Sequence, residues 1–339
     1  MQTSRLLAVL LGLGTVQQAV AATITCVDSV ATLQAALSAA ENNADDDYIN
    51  VHWGVYSLSS ELLHSSSENR ILSIVGGYDD GCNSVIGNSL LDGNDAVRPL
   101  SIFVTGGSVS IRRMYFADGF ANGAGGGLQV VGTSANIILD KNRFSGNRST
   151  SSGGAAQVST GTGRLFAVGN LVVQNRGGAV GGLNLGAGGD SLVLNNTIFS
   201  NISDSPTSPA GLLVQGSGSF DVANNIIWGN ASAGGADFRG DAAHGRRSND
   251  IGFVANSTPP DYVLDELSVD PEFAECPFFC TDWDLDPASP LVDAGNDEAW
   301  ADFNPGELDL LFRPRFSGAH VDIGAYENND LLFADGFDP

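Results

Sequence analysis

Lysine is almost missing from this sequence: Lys141 is the only one among 339 residues. Basic side chains are few altogether, 15 Lys and Arg against 39 Asp and Glu, for a net charge of −24. Such a chain repels phosphate backbones and anionic lipid surfaces, so no nucleic-acid partner is expected. Histidine and cysteine number four each. No Cys-x-x-Cys spacing occurs, which argues against a zinc site built on a local motif. Long apolar runs are also lacking. The run from Leu6 to Leu13 falls short of the roughly 20 residues a membrane-crossing helix needs, and no transmembrane span is expected.

That first run has a different character. Arg5 precedes it, and small residues lead from it to Ala19-Val20-Ala21. A charged start, an apolar middle and an A-x-A site form a secretory signal, expected over residues 1–22 with cleavage after Ala21 or Ala22. Export permits disulfides. The cysteines fall into two groups, and Cys26–Cys82 is expected to staple an N-terminal cap while Cys276–Cys280 closes a small C-terminal loop. Spacing alone does not fix that connectivity.

The commonest feature is glycine, with 43 residues. It favours turns and closely stacked backbone over long helices. Five segments then align on a pair of Asn positions. They are Lys141-Asn142-Arg-Phe144-Ser-Gly-Asn147, Gly169-Asn170-Leu-Val172-Val-Gln-Asn175, Asn195-Asn196-Thr-Ile198-Phe-Ser-Asn201, Asn224-Asn225-Ile-Ile227-Trp-Gly-Asn230, and a degenerate first copy, Arg113-Met114-Tyr-Phe116-Ala-Asp-Gly119. Each is followed by a Gly-rich stretch, such as Gly126-Gly127-Leu128 or Gly181-Gly182-Leu183. Apolar residues alternate before the Asn pairs, as in Ile137/Leu139 and Phe220/Val222, and period two marks strands with one buried face. One repeat of some 24–29 residues cannot bury that face alone, so copies must stack. Stacked Asn side chains can hydrogen-bond from turn to turn. The expected fold is all-β: a right-handed parallel β-helix over residues 101–255. A cap and first rungs occupy 23–100, with a short amphipathic helix at 30–40 on Leu33 and Leu37, and further rungs near 71–77 and 99–104.

These Asn and Gly-Gly repeats resemble the pectin-lyase-like right-handed β-helix proteins, and the related polymorphic outer-membrane-type passenger repeats of bacteria, over about residues 25–255. Farther on, Asp286-Pro-Ala-Ser-Pro290-Leu-Val-Asp293-Ala-Gly295, Asp309, Arg313-Pro-Arg315 and Val321-Asp-Ile-Gly324-Ala-Tyr-Glu327 look like the choice-of-anchor Q region (256–327). The tail at 328–339, ending Leu332-Phe-Ala-Asp-Gly336-Phe-Asp338, is similar to a short tail on exported proteins of some gammaproteobacteria, although it lacks their Gly-Phe-Glu ending. The resemblance implies a bacterial secreted or cell-surface protein, associated with the outer membrane, with a C-terminal sorting element.

Charge is uneven along the chain. Residues 261–339 carry 20 acidic residues against two Arg, a net of −18, whereas residues 101–240 carry six acidic against eight basic, a net of +2. The basic residues concentrate at Arg112, Arg113, Lys141 and Arg143 around Asp140, a candidate binding patch. In the repeat register Arg113 stacks on Lys141, and Tyr115 on Arg143. A polyuronide lyase built there would use Lys141 or Arg143 as base, Tyr115 as acid and Arg113 to hold the carboxylate. The paired Asp and Gly-His-Gly of a polygalacturonase are missing, and His244 is expected in a loop. Asp282, Asp284 and Asp286 alternate as oxygen ligands around Ca²⁺ do, making Ca²⁺ the one possible cofactor. The expected function is non-catalytic, adhesin-like binding of extracellular polysaccharide or a cell-surface component. A polyuronide lyase and a structural stalk are the alternatives.

Overall fold

The computed structural model describes residues 22–274, 283–303 and 308–328. Parallel strands of about eight turns wind into a β-solenoid. Its faces are sheets of ten, eight and seven strands, and a ladder of four very short strands lies beside them. One turn shows the plan: Asn136–Asp140 lies in the ten-stranded sheet, Arg143–Ser145 in the eight-stranded, Arg148–Ser149 in the short ladder and Ala156–Thr160 in the seven-stranded. Leu165–Val168 then begins the next turn on top of Asn136–Asp140. The expected all-β solenoid is the observed fold, and helix among the described residues is confined to Val30–Ala39 and Asp297–Phe303.

The repeat turns bend at their Asn positions. The residue before every first-column Asn is left-handed: Lys141, Gly169, Asn195, Asn224 and Ser248 have φ of 56°, 63°, 52°, 54° and 47°. The second corner repeats the device at Gly146, Gln174, Ser200 and Gly229. Such a bend turns the strand and leaves backbone groups at the corner in need of partners. The Asn side chains supply them. Asn170 Oδ1 accepts from Asn142 N at 2.9 Å, while its Nδ2 donates to Leu139 O and to Asn196 Oδ1, both at 2.9 Å. The first ladder runs 142–170–196–225–249 and the second 147–175–201–230, ending on the carboxylate of Asp237. Asn249 extends the repeat one turn beyond the five copies visible in the sequence. The glycines that precede the seven-stranded sheet make room for the second ladder: a Cβ on Gly127 would lie 2.8 Å from Asn147 Oδ1.

Between the corners the inner columns are apolar. Ile74, Ile111, Leu139, Ala167, Val193 and Val222 stack in the ten-stranded sheet, and Phe116 stacks on Phe144 at 5.0 Å in the next. The columns change character at the ends. Asp47 lies near the start of one, and His244 and Arg246 lie near the far ends of two. His244 is therefore no loop residue: it lies on the strand Ala243–Arg247, fully buried on the inner face over Phe220, because the alternation of that strand continues the core columns. Its Nδ1 donates to Ala242 O at 2.9 Å, and burial lowers its pKa.

The N-terminal end is closed by the helix Val30–Ala39, begun by a Ser29 capping box and buried through Leu33, Ala36 and Leu37. Such covers block edge-to-edge pairing of solenoids. The expected Cys26–Cys82 disulfide is present and joins the first strand to the turn after Ile71–Tyr78. Cys276 and Cys280 lie outside the described residues, as do the first 21 residues and the tail from 329 onward.

Removing one rung of the ladder strands several buried groups at once. Asn170→Ala leaves Asn142 N and Leu139 O without their partners and should cost about 3 kcal/mol in denaturant unfolding. Asn122→Ala, at an exposed turn, should change stability by less than about 0.5 kcal/mol.

A second prediction concerns Asp250, fully buried in the last turn, whose Oδ1 accepts from Val269 N at 2.9 Å. Burial, reinforced by the nearby Asp237, Asp270 and Glu266, pushes its pKa up to about 7. The folded chain then holds a proton that the unfolded chain releases near the ordinary carboxylate value. Its contribution to stability therefore falls as pH rises between about 4 and about 7. Asp250→Asn keeps the neutral form, so its unfolding midpoint should exceed that of the parent at about pH 8 and match it at about pH 4. Equal shifts at both pH values would contradict this.

Candidate functional site

Side chains that point away from the core form two columns on the outer face of the ten-stranded sheet. One runs Ser110, Ile138, Phe166, Leu192, Asp221, Gly245 and Tyr262; the other runs Arg112, Asp140, Val168, Leu194, Ala223, Arg247 and Leu264. The C-terminal segment folds back along this corner of the solenoid. Ala299, Trp300 and Val321 cover Val168, Leu194 and Ala223, while Leu310, Ala325 and Tyr326 cover Leu171 and Val173 on the eight-stranded sheet. The left-handed corner residues Asn195 and Asn224 hold the segment through their side chains. Asn195 Nδ2 donates to Asp322 O at 2.9 Å, and Asn224 exchanges hydrogen bonds with Asn296 at 2.8 and 3.0 Å.

The motif residues of the C-terminal segment tie it into a knot. The Asp309 carboxylate accepts from the backbone of Leu311, Arg313 and Glu327 and from the Arg313 guanidinium. Arg315, almost wholly buried, faces Glu327 at 3.7 Å, donates to the carbonyls of Asp322 and Gly324, and lies 5.3 Å from the Trp300 ring. Burial raises the pKa of Glu327 to about 8 and lowers that of Arg315.

The candidate basic patch is split by this arrangement. Arg112 and Lys141 converge on Asp140, at 3.8 and 3.0 Å. Arg112 is half exposed, but Lys141 is buried, and burial lowers its pKa against the pull of Asp140. Arg113 turns under the C-terminal segment. Its guanidinium donates to Asp309 O and Leu310 O at 3.0 Å and sits 3.7 Å from the centre of the Phe312 ring. Burial lowers its pKa to about 10. Tyr115 and Arg143 pair around the corner on the eight-stranded sheet, where the Tyr115 hydroxyl bonds Ser145 Oγ at 2.6 Å. Among the acidic trio, Asp284 pairs with Arg313 at 2.6 Å and Asp286 caps the Ala288 amide at 2.8 Å; Asp282 lies outside the described residues.

A recess lies elsewhere on the outer face. Between the first outer column and the C-terminal helix runs an open groove of about 340 Å³, lined by Arg164, Phe166, Asp190, Leu192, Asp221, Arg247 and Ala299. Its floor is apolar at Phe166 and Leu192, with Arg164 stacked 4.9 Å over the Phe166 ring. Its far end is polar. The Asp221 carboxylate accepts from Arg247 Nη2 at 2.5 Å and from the Tyr262 hydroxyl at 2.8 Å. A volume above about 300 Å³ with few convergent polar groups is the usual form of a small-ligand site. A larger hollow of about 460 Å³ on another corner is lined by glycines and small polar residues, with no charge or ring to orient a ligand. The signal for the groove was the alternation itself, read on its outward phase: Phe166, Leu192 and Asp221 sit between core residues in successive turns.

Comparison of the chain with known protein families, with curated proteins and with solved structures finds no match.

Arg113 is expected to act as a clamp for the C-terminal segment. Arg113→Ala should destabilise the fold by about 2 kcal/mol, through two lost hydrogen bonds and a lost ring contact, and should speed proteolysis after residue 283. Arg112→Ala should do neither.

Proposed function

We propose that the protein is an exported β-solenoid that binds extended polysaccharide along the outer face of its ten-stranded sheet. The observation that carries this reading is the groove at Phe166, Leu192 and Asp221, where an apolar floor and fixed polar groups occupy successive rungs. A sugar ring offers both kinds of surface: C–H faces that pack on an aromatic ring, and hydroxyls that pair with carboxylate and guanidinium. Rungs repeat every roughly 4.8 Å, so a chain lying along the solenoid meets a new set of contacts at each turn. The Asp221–Arg247–Tyr262 set is pre-organised by its own hydrogen bonds, which lowers the entropic cost of fixing a hydroxyl there. The signal-like leader, the Cys26–Cys82 disulfide and the resemblance to pectin-lyase-like β-helices and their choice-of-anchor regions support an extracellular or cell-surface setting.

A non-catalytic role is favoured over the lyase because Lys141, the candidate base, is buried and engaged by Asp140. The depressed Lys141 pKa is what favours the lyase as a second reading, since a base must shed its proton.

Affinity electrophoresis against a panel of neutral and acidic polysaccharides tests both. Binding is expected with at least one of them, and Phe166→Ala or Asp221→Asn should weaken it about tenfold, the loss of about 1.4 kcal/mol. Lys141→Ala should leave it unchanged. Release of unsaturated uronides, lost in Lys141→Ala, would establish the lyase. Retention of no polysaccharide would leave the stalk.

A further inference from the structure

The first strand, Ala22–Val27, lies parallel to Asp46–His52 with Cys26 opposite Asn50. His52 stands two residues beyond Asn50 on the same outward phase of its strand. Cys82 enters from the turn that follows Ile71–Tyr78, at a left-handed φ of 50°. Three segments distant in sequence thus bring two sulfurs and an imidazole together. His52 Nε2 is 3.0 Å from Cys26 Sγ, and the three ligand atoms lie within 4.8 Å of one another. The position of His52 is fixed from behind: its carbonyl accepts from Ser89 Oγ at 2.6 Å and from the Tyr56 hydroxyl at 3.0 Å. Cys26 is exposed, so solutes reach the cluster.

We propose that the reduced form of this staple is a Cys26–His52–Cys82 site for a soft tetrahedral cation, zinc being the ion it fits. As a disulfide the sulfurs are spent on each other. A dithiol breaks the bond by transferring two electrons and two protons: the protein gains two thiols and the dithiol becomes a disulfide. Zinc then displaces both thiol protons and takes two thiolates and one neutral imidazole. Zinc takes sulfur at about 2.3 Å and nitrogen at about 2.0 Å, and the three ligand atoms here stand within 4.8 Å of one another. The fourth position faces solvent and takes water. Two thiolates balance the charge of the ion, and the strongly acidic chain raises the local concentration of cations. Disulfide and metal compete for the same sulfurs, and each closes the same 56-residue loop between the first strand and the turn. The cap would therefore stay tied under oxidising and reducing conditions alike.

The test uses the full chain with Cys276→Ser and Cys280→Ser, reduced with a dithiol, desalted without oxygen and titrated with Co²⁺. One equivalent should produce a thiolate-to-cobalt charge-transfer band with tetrahedral d–d absorption, and Zn²⁺ should bleach both. The oxidised protein should show neither. His52→Ala should weaken binding by about tenfold or more, and Cys26→Ser should remove most of the charge-transfer intensity. Zn²⁺ should raise the melting temperature of the reduced protein and not of the oxidised one. A folded reduced protein without the cobalt bands, or a His52→Ala variant that binds as tightly as its parent, overturns the proposal. Should reduction itself melt the cap, judged by far-ultraviolet circular dichroism, Zn²⁺ must restore it, and failure to do so overturns the proposal equally.

Discussion

From Asn142 to Asn249 each turn of this solenoid is locked to the next by asparagine. A parallel coil must bend its backbone at each corner, and a left-handed residue makes the bend. The cost is a set of buried amides and carbonyls that no strand can reach. An Asn side chain has both a donor and an acceptor, so one residue type, repeated in register, satisfies the corner below and the corner above. Asn142, Asn170, Asn196 and Asn225 do this on one corner, and Asn147, Asn175 and Asn201 on the other. Strand pairing, core stacking and the positions of all outward side chains depend on that register.

The corners also decide where the C-terminal segment lies. The left-handed residues Arg113, Asn195 and Asn224 face outward from one corner, and each hydrogen-bonds a stretch of that segment. Arg315, Glu327, Asp309 and Asp322 knit the segment into a unit through buried hydrogen bonds. The segment in turn lines the groove through Ala299 and covers Val168, Leu194 and Ala223 on the outer face. The outer column at Phe166, Leu192 and Asp221 is thereby flanked on one side by Ala299 of that segment.

How much of this was legible in the residues varies with range. The Asn columns, the apolar alternation and the helix at Leu33 and Leu37 were readable because each rests on local spacing. The turn carrying Asn249 was not legible as a further copy because its inner positions are His244 and Arg246 rather than aliphatic residues. His244 read as a loop residue for the same reason: a buried imidazole breaks the apolar alternation while keeping its phase. The basic patch was correctly registered, with Tyr115 opposite Arg143, but its exposure could not be read, because the residues that bury Arg113 lie almost 200 positions away.

By itself the sequence determined the coil and its register, since these follow from the spacing of Asn, Gly and apolar residues, and it pointed to a pairing of two early cysteines without fixing it. Only the tertiary structure decided which outward residues meet solvent, what the Arg-Pro-Arg and Gly-Ala-Tyr-Glu motifs hold, and that His52 stands against the disulfide. The physical reason is that register is set by contacts one turn away, whereas burial and ligand geometry are set by segments that meet only after the chain has folded back on itself.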